Sequence, residues 1–156
     1  MRVEPADRTS SAAIDLLQVR FLSASAPVPR RPPKPSPRAP VPRWSIPWVG
    51  HIGLPQTGQS ETDPLLRHLL TEEHEQVPNP HRVHSFVYGN AADAGFFRVE
   101  HGEAEYSALL ENLDRLSALE RIGLVGHQLA LTQAARSPLA DLLDLVAGLQ
   151  SETDPD

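Results

Sequence analysis

The spacing of apolar residues changes once along the chain, near residue 101. Before it, hydrophobic positions tend to alternate with polar ones; after it, they recur every three or four residues. In Ile14–Leu22, Leu17, Val19 and Phe21 share one face and Gln18 and Arg20 the other, which predicts a half-buried strand. Trp44-Ser-Ile-Pro-Trp-Val-Gly50 reads as a short strand, and Pro47 predicts that it lies at a sheet edge. Leu65–Leu70 is a short apolar cluster that fits either a strand or a single helical turn, and its period does not decide between them. Val83–Tyr88 alternates again, and Gly95–Glu100 follows across a loop, so the two are expected to pair as antiparallel strands.

Beyond Gly102, Tyr106, Leu109, Leu110 and Leu113 stand at i, i+3, i+4 and i+7, the stripe of an amphipathic helix. Ser117-Ala-Leu-Glu120 is a capping-box pattern, in which serine and glutamate each satisfy the other's free backbone N–H. The helix that it opens is expected to run to about Ala135. Its apolar positions (Leu119, Ile122, Leu124, Val125, Leu129, Leu131) cover more than one stripe, so it needs neighbours on more than one side. Gly123 and Gly126 lie inside this helix, each costing about 1 kcal/mol relative to alanine, and a close helix contact would account for them. Ser137-Pro138 places a cap residue before a proline, and Leu139, Leu142, Leu143, Val146 and Leu149 form the stripe of a third helix. These broad faces look like the start of a larger helical array.

The change of period falls in Asn90–Gly102, where a Gly89-Asn90 turn signal precedes small residues, an aromatic strand and a closing glycine. The expected fold class is α+β: a partial antiparallel β-sandwich followed by an α-helical segment. Residues 1–13 show no period and are expected to be a disordered N-terminus. Residues 14–101 are expected to form the sandwich-like domain, and 102–156 to begin a C-terminal helical domain.

Composition adds one feature. Nine of the sixteen prolines fall between Pro27 and Pro47, interleaved with Arg30, Arg31, Lys34, Arg38 and Arg43. Proline supplies no N–H to a ladder, so residues 27–43 are expected to be an extended Pro/Arg-rich loop. Lys34, Pro37 and Pro40 have the spacing of a basic residue plus PxxP ligand, although such composition is also common in plain surface loops. The net charge of −6 argues against a general nucleic-acid binder. With no cysteine there is no disulfide, thiol nucleophile or Cys-rich zinc site. No apolar run has the length of a signal peptide or membrane span, and the expected location is the cytoplasm.

Chemistry is sparse. His74-Glu75 resembles the opening of H-E-x-x-H, but position 78 is proline, and His81 lies beyond Pro78 and Pro80, where no single helix face can hold both histidines. His81 and His84 are three apart in loop and strand, which puts them on opposite faces. No Gly-x-Ser-x-Gly elbow and no phosphate-binding Gly-rich loop occurs. Glu72 with Glu73, and Glu103 with Glu105, read as solvated surface pairs.

Several stretches in the same order resemble the zinc aminopeptidases of the aminopeptidase N and puromycin-sensitive type, which are gluzincin metallopeptidases. They are Gln18-Val-Arg-Phe21, Trp44-Ser-Ile-Pro47, the run with Asn90, Gly95, Phe96, Phe97, Arg98 and Val99, Glu120-Arg-Ile-Gly-Leu-Val-Gly126 and Ser151-Glu-Thr-Asp154. The resemblance implies the C-terminal region of such an enzyme: a spacer β-sandwich and the start of the helical domain that closes over the active site. It marks Asn90, Gly95, Phe96, Phe97, Arg98, Val99, Arg121, Gly123 and Leu124 as structural or interdomain residues, with Arg98 the candidate interdomain contact. Phe97, His101 and His127 depart from the family, which favours tyrosine at the first two positions and often has aspartate at the third. The family's strand before Gln18 is unrecognisable, so the sandwich is expected to lack an edge. The family's Gly-x-Met-Glu-Asn and H-E-x-x-H segments do not occur, so the zinc cofactor and peptide hydrolysis belong to a catalytic domain not present here. The expectation is a non-catalytic fragment that holds no zinc itself. Its expected partner is the missing catalytic domain, with neither nucleic acid nor membrane as a partner. The alternative is a free-standing interaction module using the Pro/Arg loop or the exposed helix faces.

Overall fold

A computed structural model describes residues 1–5, 13–19, 21, 43–56 and 62–150. The Pro/Arg loop except Arg43, the Lys34–Pro40 motif and Ser151–Asp156 lie outside the described residues. Among the described residues, seven strands form two sheets. β1 (Arg2–Pro5), β2 (Ala13–Leu17), β5 (His74–Pro78) and β7 (Glu100–His101) make a four-stranded sheet in the order β5-β2-β1-β7. β3 (Ile46–Gly53), β4 (Leu65–Leu70) and β6 (Phe86–Tyr88) make a three-stranded sheet in the order β4-β3-β6. Three helices follow: α1 (Glu103–Leu110), α2 (Ala118–Gln133) and α3 (Leu139–Gly148). The class is α+β, a partial β-sandwich followed by helices.

The strands differ from their sequence reading in four places. Arg2–Pro5, read as disordered, is the inner strand β1, antiparallel to β2 and parallel to β7. Four residues carry no readable period, and the fully buried Val3 gains its partners only from distant segments. The sandwich therefore has a strand before Gln18 after all. Second, the phase of β2 is reversed: Ile14, Leu16 and Gln18 point inward, while Val19 is exposed. Gln18 can turn inward because its carboxamide is satisfied. It donates to the carbonyls of Glu72 (2.7 Å) and Trp44 (3.2 Å) and accepts from the Trp44 N–H (3.0 Å). Third, β3 is the middle strand, not an edge. Pro47 is accommodated because β6 reaches only His51–Gly53, leaving one neighbour, β4, where the proline sits. Leu65–Leu70 resolves as strand β4.

Fourth, Val83–Tyr88 and Gly95–Glu100 do not pair. Only Phe86–Tyr88 is strand, in one sheet, while Glu100–His101 joins β1 in the other. The alternation of Val83–Tyr88 is local; which sheet each segment joins depends on β1 and β3.

The faces of the two sheets share one core of Val3, Ile14, Leu16, Trp48, Ile52, Leu70, Val77, Val87 and Val99. A second core joins Phe86 and Tyr88 to Leu109, Leu113, Leu116, Leu124 and Leu145 of the helical segment. β6 is thus a wall between two cores, with Val87 facing one and its neighbours Phe86 and Tyr88 the other. Burying each large side chain contributes on the order of 1.5–3 kcal/mol.

The capping box forms as predicted. The Ser117 hydroxyl oxygen accepts from the Glu120 N–H, and the Glu120 carboxylate accepts from the Ser117 N–H. α2 ends at Gln133, two residues before the expected limit. At α3 the cap is Pro138, not Ser137, whose hydroxyl donates to the Asp141 carboxylate (2.8 Å). The predicted α3 stripe faces the core only in part: Leu139, Leu143 and Val146 are exposed, Leu142 is half-buried, Leu149 packs against the helical core, and Leu145 is the buried anchor.

Candidate functional site

Where the sheets meet the helices, charged and aromatic side chains are buried together. Ser117 caps α2, which brings the Glu120 carboxylate, 4 % exposed, back over the helix start. There it meets His51 of β3, whose Nδ1 lies 3.1 and 3.2 Å from the two carboxylate oxygens. The Ala92 N–H donates to the same carboxylate (3.3 Å). On the other side of the ring, His51 Nε2 is 3.5 Å from Asp63, which accepts two contacts from Arg115 (2.8 and 2.9 Å) and one from the Leu54 N–H (3.0 Å). The Arg115 guanidinium lies over the Phe86 ring at 5.0 Å. Burial opposes a charge on His51, but Glu120 and Asp63 outweigh it and raise the imidazole above its ordinary value. Burial likewise opposes charge on Glu120, and its contacts with His51 and with the Ser117 N–H outweigh it, holding the carboxyl at about 2.

A second pair lies on α1. His84 Nε2 stands 3.0 Å from Glu105, whose other oxygen accepts from the Val87 N–H (3.0 Å). Glu105, read from the sequence as solvated, is buried. Its acid neighbour in the pattern, Glu103, is exposed. Arg136, just past α2, pairs with Glu100 of β7.

Further along α2, His127 stacks on Tyr88 (6.5 Å between centroids), and Tyr88 stacks on His101 (5.9 Å). His127 is 1 % exposed, and neither ring nitrogen has a hydrogen-bond partner. Burial lowers it to about 4 despite Asp93 nearby, and lowers His101 to about 3, with His127 adding to the effect. Burial, Asp93 and Glu120 push the Tyr88 phenol upward.

The sequence-marked residues fall around this junction. Asn90 closes the 90–95 loop: its Oδ1 accepts from the Gly95 N–H (2.8 Å) and its Nδ2 donates to the Asp93 carboxylate (2.7 Å) and the Gly95 carbonyl (3.2 Å). A side chain on Gly95 would collide with the Phe97 ring. Phe97 packs on the sandwich core, Val99 is buried in it, and Phe96 is fully exposed. Arg98 is exposed, with its guanidinium near Gly126 of α2: a Cβ placed there would be 3.9 Å from Nη1. Gly123 is where α2 approaches β6, for a Cβ there would lie 2.5 Å from the Tyr88 hydroxyl. Leu124 belongs to the helical core, and the Arg121 guanidinium donates to the Leu116 carbonyl.

His51, Asp63, Arg115 and the interdomain role of Glu120 are not visible in the sequence pattern. Only the capping box offered a signal, and it located Glu120 without its partner. His74 and Glu75 do not act together: His74 meets Asp15 (2.9 Å), while Glu75 accepts from the backbone of Thr71 and Glu72 and meets His68 (2.6 Å). No group of three His, Asp or Glu side chains among the described residues is arranged to hold a metal ion. No helix among them is long and apolar enough to cross a membrane.

The part of the junction from β6 onward, with the helices, falls within a match to a known family. Residues 86–156, from β6 onward, match the family model described as ERAP1-like C-terminal domain. The match takes in Asn90–Val99 and the whole of α2. This part of the chain is therefore similar to the C-terminal domain of an aminopeptidase-type protein.

Proposed function

We propose that the chain is a non-catalytic C-terminal portion of a zinc metallo-aminopeptidase, comprising the spacer sandwich and the beginning of the helical domain that closes over the active site. The observation that carries this reading is the apolar face left on the helices within the matched segment. Leu119, Ile122, Leu129, Leu139, Leu143 and Val146 are all more than two-fifths exposed. A large exposed apolar surface of this kind marks a contact site. In this reading zinc is held by the catalytic domain of the proposed parent. The chain's contribution is architectural: β6 and the 90–101 segment fix how the first helices leave the sandwich. A cytoplasmic setting and a catalytic domain supplied by another chain are part of the proposal.

The test is to translate the DNA upstream of Met1 in all frames and co-express any segment carrying Gly-x-Met-Glu-Asn and H-E-x-x-H with this chain. The expected result is that aminoacyl-amide hydrolysis by the upstream piece rises when this chain is present, while this chain alone has none. Activity of this chain alone, or no such upstream segment, overturns the reading. A monomer that stays soluble in isolation would then favour a free-standing interaction module.

A further inference from the structure

We propose that the seating of α2 on the sheets is tuned by pH from both sides: a charged His51 between Glu120 and Asp63 fixes the start of the helix, and an uncharged His101–Tyr88–His127 stack holds its middle.

The geometry requires opposite protonation states at the two places. At the helix start, His51 Nδ1 faces both oxygens of Glu120 and Nε2 faces Asp63, so two ring N–H groups meet two carboxylates. The other charged group there, Arg115, is already engaged by Asp63. The nearest remaining ring on this side is Phe86, edge-on at 5.3 Å. In the middle of the helix, His101 Nε2 accepts the Gly89 N–H (3.2 Å), which an imidazolium cannot do. His127 is buried with no acceptor within hydrogen-bonding distance; its nearest carboxylate, Asp93 of the adjoining 3-10 turn, is 3.6 Å away and itself partly exposed. The groups facing His127 from the other elements are Tyr88, His101, Arg98 and the amino group of Met1. Burial is the main effect against a proton on His127; Asp93 favours one, and Arg98 and the Met1 amino group oppose it.

The sign follows from comparing folded and unfolded histidines. His51 is raised, so its stabilisation is fully present below about pH 6.5, the unfolded value, and is lost as pH rises through its folded value. His127 and His101 are lowered to about 4 and about 3, so the unfolded chain takes up their protons first. Their effect is a loss of stability as pH falls below about 6.5. Burial also lowers the Met1 amino group to about 6, so its effect is a loss of stability as pH falls from about 8, opposing the His51 decline over the same range. On the acid side the middle of α2 is released while its start stays clamped.

Denaturant unfolding of the full chain across about pH 5 to 8.5, with amide exchange read along α2, tests this. On the acid side the folded-to-unfolded ratio is expected to fall by up to about tenfold per pH unit for each histidine. His127→Phe keeps the ring stack and should lower that acid-side slope by about one proton, and the stability lost in His51→Gln should shrink as pH rises above neutrality. An acid-side slope unchanged in His127→Phe, or a His51→Gln loss that does not shrink with rising pH, overturns the proposal. Should a variant not fold, imidazole nitrogen shifts of the wild-type chain decide. His51 must titrate above His101 and His127, and the reverse order overturns the proposal.

Discussion

The carboxamide of Asn90 holds both the N–H and the carbonyl of Gly95, closing a six-residue loop at the entrance to the helical segment. The loop is strained between these anchors: Ala92 and Asp93 have φ of 53° and 49°, the left-handed region. Ala92 tolerates this because its N–H donates to Glu120. One small loop thus connects the sandwich, the turn and the capping box of α2.

Asn90→Ala leaves buried backbone groups of Gly95 without partners, and should destabilise the chain by about 1–3 kcal/mol in denaturant unfolding. Ala92→Gly should act in the opposite direction, by up to about 1 kcal/mol, because glycine adopts positive φ without the Cβ penalty.

The two glycines of α2 should separate. Gly123→Ala places a methyl against the Tyr88 hydroxyl and Asp93, with an expected cost of about 1–3 kcal/mol. Gly126→Ala meets only the Arg98 guanidinium at ordinary contact distance, so helix propensity decides, and a gain of about 0.5–1 kcal/mol is expected. Thermal midpoints of the two variants would show shifts of opposite sign.

Ser117→Ala removes only the cap hydroxyl and should cost about 1 kcal/mol. Glu120→Ala removes the box partner and leaves His51 without its main counter-charge, so about 3–5 kcal/mol is expected. The Glu120 carboxyl is depressed in the folded chain, so its contribution is present above its unfolded value and is lost as pH falls through about 2. Urea unfolding at neutral pH ranks the two variants.

Leu143→Glu lies on the exposed face of α3, where Leu143 is 58 % exposed. Stability should change by no more than about 0.5 kcal/mol. If the apolar face mediates association, light scattering at high concentration should show a smaller particle for the variant than for the wild type.

The sequence by itself determined what is local. The helical periods of α1 and α2, the Ser117–Glu120 box and the α+β division at residues 90–102 depend on residues within a few positions of one another. Their interactions therefore write a readable spacing. The tertiary structure decided what is not local. β1 has too few residues to show a period and exists because β2 and β7 flank it. The inward face of β2 was set by partners for Gln18 supplied from Trp44 and Glu72. Val83–Tyr88 alternates and Gly95–Glu100 follows it across a loop, yet a ladder also needs a third strand to place each in a sheet, and those strands are different. The α3 stripe has helical spacing, but spacing fixes which residues share a face and not whether a neighbour covers it. The charged cluster is the extreme case: His51, Asp63, Arg115 and Glu120 come from four segments, and each alone reads as a surface residue. Only their burial together turns isolated charges into a joint, because desolvation makes each depend on the others.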